Sequence, residues 1–292
     1  GRIYPVFGLA LLFMAVGILI MMFKNGIQVP EITLANLQNS HHNPTDFPIF
    51  PFVFVTIACG AISGFHATQS PLMARCITNE KQGKPVFFGA MVTEGIVALI
   101  WAAIGMSFYK GVGGLNEVMQ SQGGNAAYVV NEISNSLLGK VGGVLALLGV
   151  VAAPITSGDT AFRSARLIIA DVFKHNQKPL LNRILISIPL FVIAYFLTQL
   201  DFSIIWRYFA WTNQTLATIV LWTITAYLIK NGKNYWITLV PAVFMTAVVS
   251  SYLLIAPEGF NLSCSIAYLG GFIIAATTTL WFLIYKKKSL NK

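Results

Sequence analysis

The 292-residue chain carries 19 Lys+Arg and 10 Asp+Glu, so only 10% of it is charged while 56% is hydrophobic, and its mean hydropathy is +0.70. So few charges cannot furnish the polar shell of a soluble domain this size, which excludes an ordinary soluble enzyme and a disordered chain. Cys59, Cys76 and Cys264 follow no paired spacing, which excludes a disulfide scaffold and any zinc or redox motif.

Eight runs approach or exceed the ~20 residues with which a helix crosses ~30 Å of hydrocarbon. They cover residues 3–23, 49–72, 86–109, 141–162, 184–200, 208–229, 235–256 and 264–285. The expected class is all-α: a polytopic membrane helix bundle of about eight transmembrane helices, forming one transmembrane domain over 1–292. The first run is too long for the apolar part of a signal peptide, and no small-residue cleavage site follows it. With the chain starting inside, fifteen of the nineteen basic residues fall in inner segments and only Lys24, Lys110, Lys140 and Arg207 fall outside. Basic residues gather on the cytoplasmic side of membrane proteins, so the C-terminus is expected in the cytoplasm and the net charge of +9 faces anionic lipid, not nucleic acid.

The first outer loop, residues 24–48, holds His41 and His42 side by side. Adjacent side chains point in different directions on most backbones, and no metal site is expected.

The second span opens apolar and then meets Gly60, Ser63, Gly64, His66, Thr68, Gln69, Ser70 and Pro71. A lipid-solvated helix tolerates such a stretch only where it lines a cavity or packs against protein. We read it as a discontinuous helix, unwound over 60–69, with a half-helix starting near Pro71. Unwinding would free carbonyls and amides and aim a positive helix end at a carboxylate or small zwitterion. Gly60, Ser63, Gly64, His66, Thr68 and Gln69 are therefore the candidate substrate lining. The structural alternative makes the polar residues interhelical hydrogen-bonding groups.

In the third span, Glu94 lies eight residues past Val86, about 12 Å deep. A carboxylate there must be protonated, paired or hydrated, which suits a proton carrier or a neutral interhelical donor. The outer loop that follows, residues 110–140, contains 126–138, which suits a short helix lying at the outer surface. The fourth span ends in Thr156, Ser157, Gly158, Asp159 and Thr160, then Arg163 and Arg166. Those oxygens suit a hard cation or a proton relay, and 156–160 is expected to break the helix. The plain alternative is an Asp159–Arg163 pair one helical turn apart. In the sixth span, Trp206 and Tyr208 fit an interfacial aromatic belt, while Asn213 and Gln214 sit deeper and need partners, either capping the cavity from outside or joining neighbouring helices.

The stretch 60–75, Gly-Ala-Ile-Ser-Gly-Phe-His-Ala-Thr-Gln-Ser-Pro-Leu-Met-Ala-Arg, closely resembles the carbon starvation protein A (CstA) family. So do Gly89-Ala-Met-Val-Thr-Glu94-Gly and 153–166, Ala-Pro-Ile-Thr-Ser-Gly-Asp-Thr-Ala-Phe-Arg-Ser-Ala-Arg. The resemblance covers roughly 50–175. It implies a bacterial inner-membrane secondary transporter, induced on carbon limitation, that imports peptides or a small carboxylate such as pyruvate with protons. It also implies the amino-acid/polyamine/organocation (leucine-transporter-like) fold of two inverted five-helix repeats. The second span would open the second repeat, and 156–160 would lie in that repeat's third helix, where that fold places a coupling cation. Glu94, Thr156, Ser157, Asp159 and Thr160 are then the candidates for coupling to H+ or Na+, with no other cofactor. Family chains begin with several more spans, so this chain is expected to be a fragment or truncated form lacking the first repeat. The expected partners are a small-molecule substrate and the bilayer.

Two other functions compete. An intramembrane enzyme would use His66 with Asp159, although no nucleophile elbow, His-Glu-x-x-His pair or phosphate loop is present. A nutrient sensor would bind ligand without flux.

Overall fold

A computed structural model describes residues 4–31, 33–34, 36, 38–41, 43–57, 62–200 and 202–290. Among these every regular element is helical, and no strand occurs. In chain order the helices are α1 (Tyr4–Lys24), α2 (Ile49–Thr56), α3 (Gly64–Ala74), α4 (Ala90–Phe108), α5 (Val112–Ser121), α6 (Ala126–Ala146), α7 (Ala153–Val172), α8 (Leu180–Leu197), α9 (Phe202–Lys230), α10 (Trp236–Ile255) and α11 (Cys264–Leu290). Wider π-helical turns lead into α4 at Lys84–Gly89 and into α7 at Leu147–Ala152.

Among the described residues six helical stretches are long and apolar enough to cross a membrane: Tyr4–Lys24, Glu80–Phe108, Ala126–Val172, Leu180–Leu197, Trp236–Ile255 and Cys264–Lys287. This is a multi-pass helical membrane protein. Of the two other expected spans, the second is split into α2 and α3, each too short to cross alone. The sixth is the 29-residue α9, interrupted in polarity by Thr212, Asn213 and Gln214.

Of the two expected breaks, the first is present but ends sooner, since Ile62 and Ser63 are non-helical while the chain from Gly64 is helix, and the second lies elsewhere. Residues 64–69 are helical, so α3 starts at Gly64 and carries Pro71 inside it. Its hydroxyls bond back to their own helix, Thr68 Oγ1 to the Phe65 carbonyl (2.7 Å) and Ser70 Oγ to that of His66 (2.7 Å), and so need no unwound backbone. Likewise α7 runs unbroken through 156–160, with Thr160 Oγ1 donating to the Thr156 carbonyl at 2.8 Å. The irregular turn lies earlier, at Leu147–Ala152.

The chain divides into two compact units, Gly1–His42 with Thr78–Phe196, and Asn43–Ile77 with Leu197–Lys292. The core of the first is built by stripes at four-residue spacing, the repeat that keeps side chains on one helix face. Met14, Ile18 and Met22 of α1 meet Ile100 and Ile104 of α4 and Val129, Ile133 and Leu137 of α6. The expected short helix 126–138 is present, capped by Asn125, whose Oδ1 accepts from the Ala127 and Tyr128 amides. It does not lie on the surface. Ile133 is fully buried and Ser134 Oγ reaches Met14 Sδ (3.5 Å), ten residues or about 15 Å from the end of α1. The arm inserts beside α1 because its apolar stripe has nowhere else to be covered.

The arm ends at Gly139, where φ is +60° and ψ −148°, a backbone region open only to glycine. The chain there folds back so tightly that Gly142 lies against the Ser134 carbonyl. Gly139→Ala is expected to lower stability by about 1–3 kcal/mol, read as a lower Tm in detergent. Gly8→Ala, with open space around the added methyl, is expected to leave Tm unchanged or slightly raised.

Candidate functional site

A helix that stops inside a bilayer leaves its last carbonyls and first amides unpaired, and hydrocarbon offers them no water. In the second unit, α2 ends at Thr56 and α3 begins at Gly64. Gly60 lies outside the described residues. Both ends are served by neighbouring residues of α9. Gln214 Nε2 donates to the Phe54 carbonyl of α2 at 2.9 Å. Asn213 Oδ1 accepts from the Phe65 amide in the first turn of α3 at 2.6 Å, and its Nδ2 points to Ser63 Oγ at 3.5 Å. Asn213 is the N-terminal cap of α3, supplied by another helix, since Ser63 makes no side-chain cap of its own.

These two residues lie 11 and 12 positions into a 29-residue helix, near its midpoint and about 17 Å from its start. Both are buried, Gln214 to 1% exposure. Gly64 makes the approach possible. A Cβ there would strike the Asn213 carbonyl and sit 2.8 Å from Leu216 Cβ and 3.0 Å from the Ala217 nitrogen.

At one end of the unit, α9 is fastened to the turn after α10. Glu258, its side chain 6% exposed, accepts from Arg207 Nε (3.1 Å) and Tyr252 OH (2.7 Å) through Oε1, and its backbone carbonyl accepts from Tyr208 OH (2.6 Å). Trp211 Nε1 adds a bond to the Val249 carbonyl at 3.0 Å. Together these contacts hold α9 in the register that presents Asn213 and Gln214 to the break.

The remaining candidates along α3 are half-buried: His66 one residue past the capped amide, then Thr68, then Gln69, whose Nε2 donates to Thr68 Oγ1 at 3.0 Å. The other candidates belong to the first unit. Glu94 is half-buried on α4, in the second turn of a helix with no charged residue in its first. On α7, Thr156 and Thr160 are half-buried and Ser157 is exposed. Asp159 Oδ2 accepts from Arg163 Nη2 (2.6 Å), the one-turn pair weighed from sequence, and also from Tyr4 OH (2.7 Å) at the start of α1. No grouping of three or more His, Cys, Asp or Glu side chains suited to a metal occurs among the described residues. The first unit also has a wide polar basin of about 740 Å³, bounded by Gln28, Glu31, Asn36, Ser107 and Lys110.

The family model described as "Carbon starvation protein CstA" matches residues 5–140 and 120–251. The chain belongs to the CstA family. An uncharacterized protein of Haemophilus influenzae is 51% identical over 122 residues, 42% of this chain and 88% of its own length. The peptide transporter CstA of Bacillus subtilis is 29% identical over 302 aligned positions, 84% of this chain and 50% of that protein. The pyruvate/proton symporter BtsT of Escherichia coli is 45% identical over 53 residues, 18% of this chain and 7% of its own. The chain spans half or less of the length of the CstA relatives named as transporters. No solved structure matches it.

Asn213 and Gln214 were visible in the sequence as amides in need of partners, but not as the residues that close the second span. Gln214→Leu should cost about 1–3 kcal/mol by stranding the part-buried Phe54 carbonyl, and Asn213→Ala about 1 kcal/mol by removing a cap. Gly64→Ala should cost about 1–3 kcal/mol by overpacking against α9. Thermal unfolding in detergent ranks the three, and a Gly64→Ala protein as stable as the parent would contradict the close contact.

Proposed function

We propose that this CstA-family chain is the part of a secondary transporter that carries a substrate site, importing short peptides or a small carboxylate such as pyruvate, coupled to protons. The membrane is the bacterial inner membrane, with the C-terminus in the cytoplasm, as the distribution of basic residues favours. The observation that carries this reading is the broken second span. A helix divided into α2 and α3, with its freed backbone groups held by two amides at the middle of α9, is what transporters use at a substrate site near the midplane. A purely structural membrane helix gains nothing from such a break. The names of the relatives, peptide transporter and pyruvate/proton symporter, favour the same two substrate classes. The arrangement also suits the second repeat of the leucine-transporter-like fold.

In this reading Ser63, Gly64, His66, Thr68 and Gln69, with Gly60 in the preceding stretch, face the substrate. The positive end of α3 favours a carboxylate, and His66 one residue from it offers a proton-sensitive contact. Glu94 carries the coupling proton, and Thr156, Ser157, Asp159 and Thr160 organise it or hold a Na+ ion in its place.

Uptake of labelled pyruvate and of a dipeptide by cells making the complete protein tests this. His66→Ala should reduce uptake roughly tenfold at unchanged expression, the cost of one polar contact in a buried site. Wild-type rates would remove His66 from the site. Wild-type uptake should rise as the outside is acidified, and Glu94→Gln should flatten that dependence. An unaltered pH profile would leave Glu94 a structural group.

A further inference from the structure

The second unit has a groove of about 450 Å³ between α9 and α11, remote in sequence from the residues of the proposed site. Its walls are two stripes of matching pitch: Ile219, Trp222 and Ala226 on α9, and Trp281, Phe282 and Tyr285 on α11. Spacings of three and four residues, 219–222–226 on α9 and Thr278 to Trp281 and Phe282 and on to Tyr285 on α11, keep each stripe on one helix face. The groove is apolar. Its two threonine hydroxyls are spent on their own helices, Thr223 Oγ1 on the Ile219 carbonyl (2.9 Å) and Thr278 Oγ1 on that of Ile274 (2.6 Å). The polar edge of Trp222 is turned to α10, with Nε1 donating to Thr246 Oγ1 at 2.9 Å.

One end of this apolar channel is strongly basic. Lys230 closes α9, Lys233 lies in the following turn, and Lys286 and Lys287 follow Tyr285 on α11. Lys286 Nζ donates to Tyr235 OH at 2.6 Å and lies 4.7 Å over the Tyr235 ring, and Tyr235 packs in one cluster with Phe282 and Tyr285. The ammonium is thus pinned at the mouth of the groove, with one of its three donors in use. Between residues 202 and 292 the only acidic residue is Glu258, at the opposite end of α10 and about 30 Å away.

We propose that this groove is a binding site for an anionic phospholipid, one acyl chain lying between the two stripes and the phosphate meeting Lys286 and its basic neighbours. The charge argument selects this occupant. A second copy docking through the same face would bring two uncompensated lysine clusters together, since a two-fold interface pairs each surface with itself. A neutral lipid would leave the lysines unanswered.

Trp222 and Trp281 in the walls give a direct readout. The full chain is reconstituted in phosphatidylcholine vesicles with rising fractions of phosphatidylglycerol brominated at mid-chain, and in parallel with brominated phosphatidylcholine. Brominated phosphatidylglycerol should quench tryptophan fluorescence at the lower mole fraction, and the difference should vanish in Trp222→Phe/Trp281→Phe. Lys286→Gln and Lys287→Gln should each cut the preference roughly fivefold, the effect of one basic residue at an anionic surface. Equal quenching of the wild-type protein by the two lipids overturns the proposal without any variant having to fold. So does quenching by neither lipid, which would mean that protein fills the groove. A preference that survives loss of both lysines overturns it as well.

Discussion

A peptide group set free inside hydrocarbon must find its hydrogen-bond partner within the protein, and the second unit is organised around meeting that demand at one place. The break between α2 and α3 exposes the Phe54 carbonyl and the Phe65 amide, and Gln214 and Asn213 answer them from the same turn of α9. The other features of the unit follow from this pairing. Gly64 is bare so that α3 can touch the backbone of α9, and the Arg207, Tyr208 and Trp211 contacts fix α9 along its axis. Both half-helices are therefore tied to α9, while α2 also packs on α10 through Phe52 and Val55 and accepts a bond from Tyr268 of α11 at the Phe50 carbonyl.

The first unit relies on shape instead. Its centre is a three-helix seam of Met, Ile, Val and Leu, and its polar contacts lie at the margins, such as Tyr109 OH to Glu132 Oε2 and the Tyr4–Asp159–Arg163 chain. An exposed ion pair of the last kind contributes at most about 1 kcal/mol. It joins the start of α1 to α7 more as a positional tie than as a source of stability. The helical arm ending at Gly139 differs, because its inner stripe reaches the core and binds two helices distant in sequence.

The long helices were legible in the sequence because hydrocarbon thickness demands an apolar run, and α1, α10 and α11 lie within about one turn of where that reading put them, with α11 running five residues further. The family was legible because three long motifs survive nearly whole around 60–166. The extents of the interruptions are harder to read. Of the described residues in 60–69 only Ile62 and Ser63 are non-helical, because Thr68 and Ser70, like Thr160 in α7, bond to their own helices and sit in regular turns. What ends α2 is paired with residues some 150 positions away, and no local pattern reports such a partner. The bend at Gly139 is similar, since a glycine in a sequence does not disclose the sign of its φ. Asp159 was weighed both as a coupling group and as a partner of Arg163; the pairing with Tyr4 was beyond reach, because α1 and α7 are neighbours only in the fold.

The split helix also constrains how the chain enters the membrane. The eight residues of α2 and the eleven of α3 span about 12 and 17 Å, so neither can be released sideways from the insertion machinery as a stable unit. The amide that completes the Phe54 carbonyl is made 160 residues later. At ribosomal speeds that delay is roughly ten to thirty seconds, during which the nascent segment must be sheltered. Assembly of this unit therefore finishes late, only once α9 has been made.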